Sequence, residues 1–180
     1  MSAAGHIDPS NKKIALLIAL LALVLAFSET LGKAAQTSAL SLNIEASNLW
    51  AFFQAKTIRQ TVLRTAAEQA DLAAASEKTK KQVDSWKKTA ERYQSEPETS
   101  EGRKELAERA KAAEQKRDRA LAAYHHYELA SAAVQIAIVL ASAAIITGAM
   151  ALTWIGIGLG VVGIVFCIIG FFFPMAVHLF

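Results

Sequence analysis

The sequence is poor in residues that stabilise small domains by cross-links or metal binding. It has one cysteine, Cys167, so neither an internal disulfide nor a CxxC-type metal or redox motif can form. Three prolines and nine glycines are few for 180 residues, and alanine is abundant. Such a composition favours α-helix, because alanine has the highest helix propensity and proline the lowest.

Motifs that carry known chemistry are missing as well. There is no Ser/His/Asp triad spacing and no HExxH, and the glycines of Gly156–Gly160 lack the Lys-Ser/Thr pair of a P-loop. The one-sided basic stripe of a nucleic-acid-binding protein is also absent. We therefore predict a protein that is not an enzyme, has no catalytic residue, metal or cofactor, and binds no nucleic acid.

Charge is confined to the middle of the chain. The segment from Lys33 to Glu128 holds 17 of the 19 Lys and Arg residues and 14 of the 16 Asp and Glu residues, with the signs interleaved. The formal net charge is only +3. Apolar side chains concentrate at the two ends and bring the mean hydropathy to +0.28. This segregation indicates a membrane protein with a charged extramembrane part.

The first apolar run follows Lys12 and Lys13. It is free of charge from Ile14 to Phe27 and predicts a transmembrane helix over 14–32, because ~19 helical residues span ~28 Å, about one hydrocarbon core. A lysine pair before an apolar run is also typical of a cleaved signal peptide, but the small-x-small cleavage pattern is weak here. We interpret the run as an uncleaved anchor after a polar tail, residues 1–13.

The second apolar stretch, from Leu129 to Phe180, has no Asp, Glu, Lys or Arg. It is too long for one span and suits two. A break near Gly148 would leave Trp154 at an interfacial position, where tryptophan is common. The stretch therefore predicts transmembrane helices at 129–149 and 153–173 and a C-terminal tail at 174–180.

The middle segment contains one clear cluster of helix breakers, at residues 95–102. We predict there the turn of a charged helical hairpin formed by residues 56–128. A second option places the tip near Ala73–Glu77, with a kink at Pro97. Residues 33–55 are mixed in polarity and are predicted to form an amphipathic junction helix. The predicted fold is an all-α membrane protein, with three transmembrane helices and a long helical-hairpin, coiled-coil-like stalk outside the membrane.

One cluster of side chains near the start of the stalk is rich in Trp, Phe and Arg, and Trp and Arg dominate interface hot spots. It is predicted to contact a partner or another subunit, or to form a structural junction, and comprises Trp50, Phe52, Phe53, Gln54, Lys56 and Arg59. Gly156 and Gly160 join the predicted contacts, because small residues four apart let helices approach closely.

His125 and His126 are weak candidates for cofactor binding, since imidazole is a common axial ligand. Adjacent residues on a helix point in different directions, so the two rings cannot share a ligand cleanly. We favour an interfacial belt of amphipathic rings, together with Tyr124 and Tyr127.

Three sequence elements carry a family resemblance. They are IEASNLWAFFQAKTIRQ at Ile44–Gln60, YQSEP at Tyr93–Pro97 and YHHYELASAAVQIAIVLAS at Tyr124–Ser142. With the first apolar run, these elements resemble a family of small bacterial membrane proteins known only as a domain of unknown function, DUF4337. The resemblance covers the whole chain. It implies a membrane architecture and a bacterial source, and it brings no activity and no catalytic residues.

The sequence favours a non-catalytic structural or accessory protein that self-associates or docks on a larger membrane complex through helix–helix contacts. One alternative is an oligomeric channel or transport-related protein whose pore is lined by the first span and the polar side of Thr37–Asn48, which requires Ser41, Asn43 and Asn48 to face a common axis. Another is a cofactor-bearing membrane subunit that uses a histidine. The expected partners are the lipid bilayer and further copies of the chain or a membrane protein complex.

The expected location is the bacterial inner membrane, which the chain crosses several times. Lys12 and Lys13 favour a cytoplasmic N-terminus and hence a periplasmic stalk. Lys111, Lys116 and neighbouring arginines before the second span favour a cytoplasmic stalk by the same rule. Of the two, we adopt the periplasmic stalk as the prediction.

Overall fold

A computed structural model describes residues 9–73 and 76–176 of the chain. The parts of the predicted tails at 1–8 and 177–180 lie outside the described residues. The residues that it describes form four helices and no strand, which confirms the all-α prediction. The helices are α1 (Pro9–Leu72), α2 (Glu77–Gln94), α3 (Arg103–Thr147) and α4 (Met150–Phe172).

Three of these helices, α1, α3 and α4, contain a stretch long and apolar enough to cross a membrane. The predicted number of such helices is therefore confirmed. The turn between α3 and α4 falls at residues 148 and 149, beside the break expected near Gly148, and α4 begins at Met150 and not at residue 153. α3 ends because Gly148 adopts a φ of +72°, a left-handed conformation that glycine reaches without strain. The Gly148 N–H then donates to the carbonyl of Ala144 at 2.9 Å.

The chain divides into two compact units, described separately below. Met1–Ala39 and Asp118–Phe180 form one, referred to as the apolar unit, and Leu40–Arg117 form the other, referred to as the charged unit. The sequence predicts helix boundaries at residues 32/33 and 55/56, but α1 continues through both. The physical reason is that no proline and only one glycine, Gly32, follow Pro9 in this helix, so nothing breaks its hydrogen-bond ladder.

Within the charged unit, the chain reverses between Leu72 and Glu77 and not at residues 95–102. As the residue number falls along α1, the number of its partner rises, so α2 and α3 both run antiparallel to α1. The pairs are Asp71 with Lys87 (2.7 Å), Gln60 with Ala90 O (2.8 Å), Thr57 with Arg103 (2.8 Å) and Trp50 with Glu114 (2.8 Å).

The segment at 95–102 therefore joins α2 to α3, and both of these helices lie along α1. α2 packs on the last turns of α1, and α3 packs on the turns before them. Five apolar residues of α2 and α3 are buried, namely Val83, Ala90, Leu106, Ala110 and Ala113.

In the apolar unit, α3 and α4 pack closely because α4 presents glycines, which have no side chain, to α3. Gly156, Gly163 and Gly170 recur every seven residues on α4. A Cβ added to them would lie 3.1 Å, 3.1 Å and 3.4 Å from the carbonyl oxygens of Ala137, Ala130 and Ala123, which recur every seven residues on α3. Two turns of one helix thus match two turns of the other, and the backbones approach closely. In lipid, such van der Waals packing replaces the hydrophobic driving force.

The first turns of α1 pack on α3 in the same unit through Ile14 and Leu21, which are buried against Ala141, Val134 and Ala137. Further along, Ser28 and Ser131 hydrogen-bond across the two helices at 2.8 Å. The Ser28 hydroxyl also donates to the Leu25 carbonyl at 3.0 Å, so it accepts from Ser131 and both hydroxyls are paired.

The glycine repeat leads to a stability prediction. Gly163→Ala places a methyl 2.5 Å from Val134 Cγ2 and 3.1 Å from the Ala130 oxygen, and overpacking of this kind costs about 1–3 kcal/mol. We expect a lower thermal unfolding midpoint in mild detergent. The matched control is Gly158→Ala, whose methyl meets nothing within 4 Å and which gains up to about 1 kcal/mol of helix propensity. Equal midpoints for the two variants would contradict the close packing.

Candidate functional site

The most unusual side chain in the charged unit is Lys56 of α1, which is only 5% exposed. A buried ammonium group requires compensating partners, because desolvation disfavours its charge. Its Nζ lies 3.5 Å from a carboxylate oxygen of Glu96 and 3.9 Å from one of Glu101. Both acids belong to the segment between α2 and α3. This pair of contacts therefore ties that segment to α1.

Two aromatic rings complete the surroundings of Lys56. Its Nζ lies 5.4 Å from the ring centroid of Phe52 and 5.0 Å from that of Tyr93. Both distances fall within the range in which a cation is attracted to the face of an aromatic ring. Phe52 is on α1 and Tyr93 is on α2, so one ammonium group contacts two helices and the loop that follows them.

One turn further along α1, the side chain of Gln60 is buried and fully hydrogen-bonded. Its Nε2 donates to the Ala90 carbonyl at 2.8 Å, and its Oε1 accepts from Arg103 Nη1 at 2.6 Å. Arg103 also donates to Thr57 Oγ1 at 2.8 Å. Its guanidinium lies 5.0 Å from the Phe53 ring centroid. Since Arg103 is the first residue of α3, this network joins all three helices of the charged unit.

The apolar part of the site lies on the preceding turns of α1. Trp50 Nε1 donates to Glu114 at 2.8 Å, and its ring meets that of Phe53 edge to face at 5.5 Å. Both rings pack against a buried cluster formed by Ala46, Leu49, Leu106, Ala110 and Ala113. The site is thus a joint of ion pairs, hydrogen bonds and aromatic contacts, whose physical effect is to hold α1, α2 and α3 together.

The joint brings together two elements that are about 40 residues apart in the sequence. The element at Ile44–Gln60 supplies Trp50 and Lys56, and the element at Tyr93–Pro97 supplies Tyr93 and Glu96. Both elements carried the family resemblance. The model of the domain of unknown function DUF4337 matches residues 10–173. The chain belongs to this family. No match was found among curated proteins or among solved structures. Membership therefore adds no activity to what the geometry shows.

The predicted contact residues mostly pack within the chain itself. Trp50, Phe52 and Phe53 are half-buried and Lys56 is buried, all against α2, α3 or the segment between them. Gln54 and Arg59 are exposed. Gly156 is buried against Ala137 of α3 and Gly160 against Leu21 of α1. The structural-junction interpretation thus describes most of this set, and only the two exposed residues are free to meet another molecule.

The two histidines have different surroundings. His126 is buried, its ring stacks on Phe166 with centroids 6.1 Å apart, and its Nε2 lies 3.3 Å from the Pro174 carbonyl. This position differs from the interfacial belt that the sequence favours. His125 is half-buried, with Nδ1 3.7 Å from Glu128. Among the described residues, no group of three His, Cys, Asp or Glu side chains could hold a metal ion.

The channel alternative required Ser41, Asn43 and Asn48 to face one axis. Ser41 and Asn48 are seven residues apart and share a face of α1. Asn43 lies on a different face and accepts a hydrogen bond from Arg117 at 3.2 Å. No contact in the charged unit therefore favours that alternative, and it stays a prediction.

Sequence reasoning missed Gln60, Arg103 and Glu101 of the joint, and no local pattern marks them, because their partners are distant in the sequence. It named Tyr93 and Glu96 within the resemblance. It also missed the seven-residue repeat of Gly156, Gly163 and Gly170. That repeat is visible in the sequence and could have been paired with the equally spaced alanines of α3.

Glu105 holds the segment that supplies the acids of the joint. The Ser95 hydroxyl donates to one oxygen of its carboxylate at 2.6 Å, and the Glu96 N–H donates to the other at 3.2 Å. These bonds, chiefly that from Ser95, lower the pKa of the Glu105 carboxyl below its ordinary 4.5. A lowered pKa in the folded chain means that this anchoring stabilises the fold above pH 4.5 and is lost as pH falls through the lowered value.

We expect Glu105→Gln to make the unfolding midpoint depend less on pH in the acidic range. The wild-type unfolding midpoint, measured from about pH 6 to about pH 3, should fall more steeply than that of the variant, because only wild type loses the anchoring by protonation. Glu108→Gln, at an exposed position on the same helix, should keep the wild-type slope. Identical slopes for wild type and Glu105→Gln would contradict the anchoring role.

Removal of the Gln60 side chain should destabilise the charged unit. Gln60→Ala removes the hydrogen bonds of a buried side chain to the Ala90 carbonyl and to Arg103, at a cost of about 1–3 kcal/mol. We expect a lower midpoint in chemical denaturation of the detergent-solubilised protein. The matched control is Gln115→Ala, at an exposed position of α3, which should stay within about 0.5 kcal/mol of wild type. A Gln60→Ala midpoint equal to that control would mean that the network contributes nothing.

Proposed function

We propose that the chain is a non-catalytic integral membrane protein that self-associates through the exposed face of α1 in its charged unit, and that acts as a structural or accessory component of the membrane. The observation that carries this proposal is an unpaired apolar stripe on α1, defined below. It lies in a unit whose surface is otherwise rich in charge.

Membrane insertion is supported by the exterior of the apolar unit. Four large apolar residues on its three helices, Leu16, Phe27, Val139 and Trp154, are between 60% and 71% exposed. Water disfavours a continuous apolar surface of this kind on a monomer, whereas lipid chains solvate it. The proposal includes the bacterial inner membrane and a periplasmic charged unit, on the basis of the family resemblance and of Lys12 and Lys13.

The stripe consists of Leu40, Ile44, Ile58, Val62 and Leu72, which are between 54% and 87% exposed. At 3.6 residues per turn these positions share one face of α1. The buried residues of the same helix, such as Leu49, Lys56 and Gln60, lie on the opposite face. Every charged residue of α1 from Glu45 to Asp71 falls outside the stripe. A face that is both exposed and free of charge over this length is a typical helix-pairing seam.

A second copy of the chain is the occupant that this stripe suits best. Two copies inserted the same way in one membrane are related by a two-fold axis along the membrane normal, which sets their α1 helices parallel and in register. Each stripe residue then meets itself. A charged residue would repel its own copy, whereas this face carries only apolar and uncharged polar groups, among them Gln54 and Gln69, whose amides can hydrogen-bond with their own copies.

The test is cysteine cross-linking in membranes. In a Cys167→Ala background, Ile58→Cys should form a disulfide-linked dimer on mild oxidation, because symmetry brings the two thiols together. The matched control is Arg59→Cys, which is exposed on the same turn but lies off the stripe, and which should cross-link at least about tenfold less. Equal cross-linking, or a monomer by light scattering in mild detergent, would overturn self-association. Recovery of the protein in the supernatant after high-speed centrifugation of lysed cells would overturn membrane insertion.

A further inference from the structure

In the apolar unit, a groove of about 380 Å³ lies between the first turns of α1 and the first turns of α4. Its walls are mainly apolar, with Ile14 and Leu17 on one side and Ile157 on the other. Lys13 and Trp154 also line it. The groove therefore combines an apolar interior with one cationic group, at the end of α1 where its apolar run begins.

Several polar groups around this groove have no partner among the described residues, and an anion would supply one. Lys13 is exposed, and no carboxylate of the described residues pairs with it. α4 begins at Met150 with no acidic residue in its first turn and no side-chain cap, so its end carries an uncompensated partial positive charge. Thr153 lines the groove at 9% exposure, and its Oγ1 has no hydrogen-bond partner among the described residues. Buried hydroxyls are rarely left unpaired, which indicates a partner from outside the chain.

We propose that this groove binds an anionic phospholipid. The phosphate lies between the Lys13 ammonium group and the N-terminal end of α4, and an acyl chain lies along Ile14, Leu17 and Ile157. A free soluble anion would use the positive groups but would leave the apolar walls in contact with water. Trp154, which is 71% exposed, is the residue type that marks headgroup level in membrane proteins. This inference rests on the proposed insertion in a membrane.

The experiment uses full-length protein in phosphatidylcholine vesicles that contain a fraction of brominated lipid. Trp50 and Trp86 of the charged unit are replaced by Phe, so that Trp154 is the only fluorophore of its type. Brominated phosphatidylglycerol should quench Trp154 more strongly than the same fraction of brominated phosphatidylcholine. Lys13→Gln should lower the relative association of the anionic lipid about fivefold, the effect expected of one basic residue at a membrane surface.

Lys12→Gln is the matched control, because it removes the same charge from the adjacent residue, which does not line the groove. It should keep the preference for anionic lipid. Equal losses in the two variants would mean general surface attraction, and equal quenching by both brominated lipids in the unmutated protein would mean no site. Either result overturns the proposal. If added inorganic phosphate abolishes the quenching, the site binds free anions, and this result also overturns the proposal.

Failure of the proposed membrane insertion gives a different result. In that case neither brominated lipid quenches Trp154, and the protein does not float with the vesicles in a density gradient. Quenching by brominated phosphatidylcholine without a preference for the anionic lipid leaves insertion intact and overturns only the lipid site.

Discussion

The burial of one ammonium group, that of Lys56, is the constraint on which the charged unit depends. An ion of this kind is tolerated away from water only if several partners replace its hydration. Here the partners come from three parts of the chain: Phe52 on α1, Tyr93 on α2, and the acids Glu96 and Glu101 between α2 and α3. The geometry that satisfies the charge is therefore the geometry that sets α2 and the following segment against α1.

The two units pack by opposite means. In the charged unit, long polar side chains reach across the helices, and the Gln60–Arg103 network fixes their register through directional bonds. In the apolar unit, α3 and α4 approach closely because Gly163 and its equivalents leave room for carbonyl oxygens. Where lipid replaces water, apolar burial no longer favours association, so close contact becomes the main source of cohesion.

The residues of the Trp50–Arg59 cluster stand out in the sequence whichever of two roles they have. Large aromatic and cationic side chains are frequent both at interfaces and inside helical joints. On α1 they divide by face: Trp50, Phe53 and Lys56 point towards the chain's own helices, and the less conspicuous Ile58 lies on the exposed side. Composition alone cannot separate these uses, because the face of a helix that is covered depends on where its neighbours run.

The sequence by itself determined the helical class, the number of apolar helices and the segregation of charge, because these follow from local propensity and from the length of uncharged runs. It also marked the breaks near residues 95–102 and 148, where helix-breaking residues lie. One of its two options for the tip of the hairpin placed a further break near residues 73–77. Only the tertiary structure decided which break reverses the chain, that α1 continues to Leu72, and which partners satisfy Lys56 and Gln60. Those outcomes depend on contacts between residues tens of positions apart, whose free energies no local pattern in the sequence records.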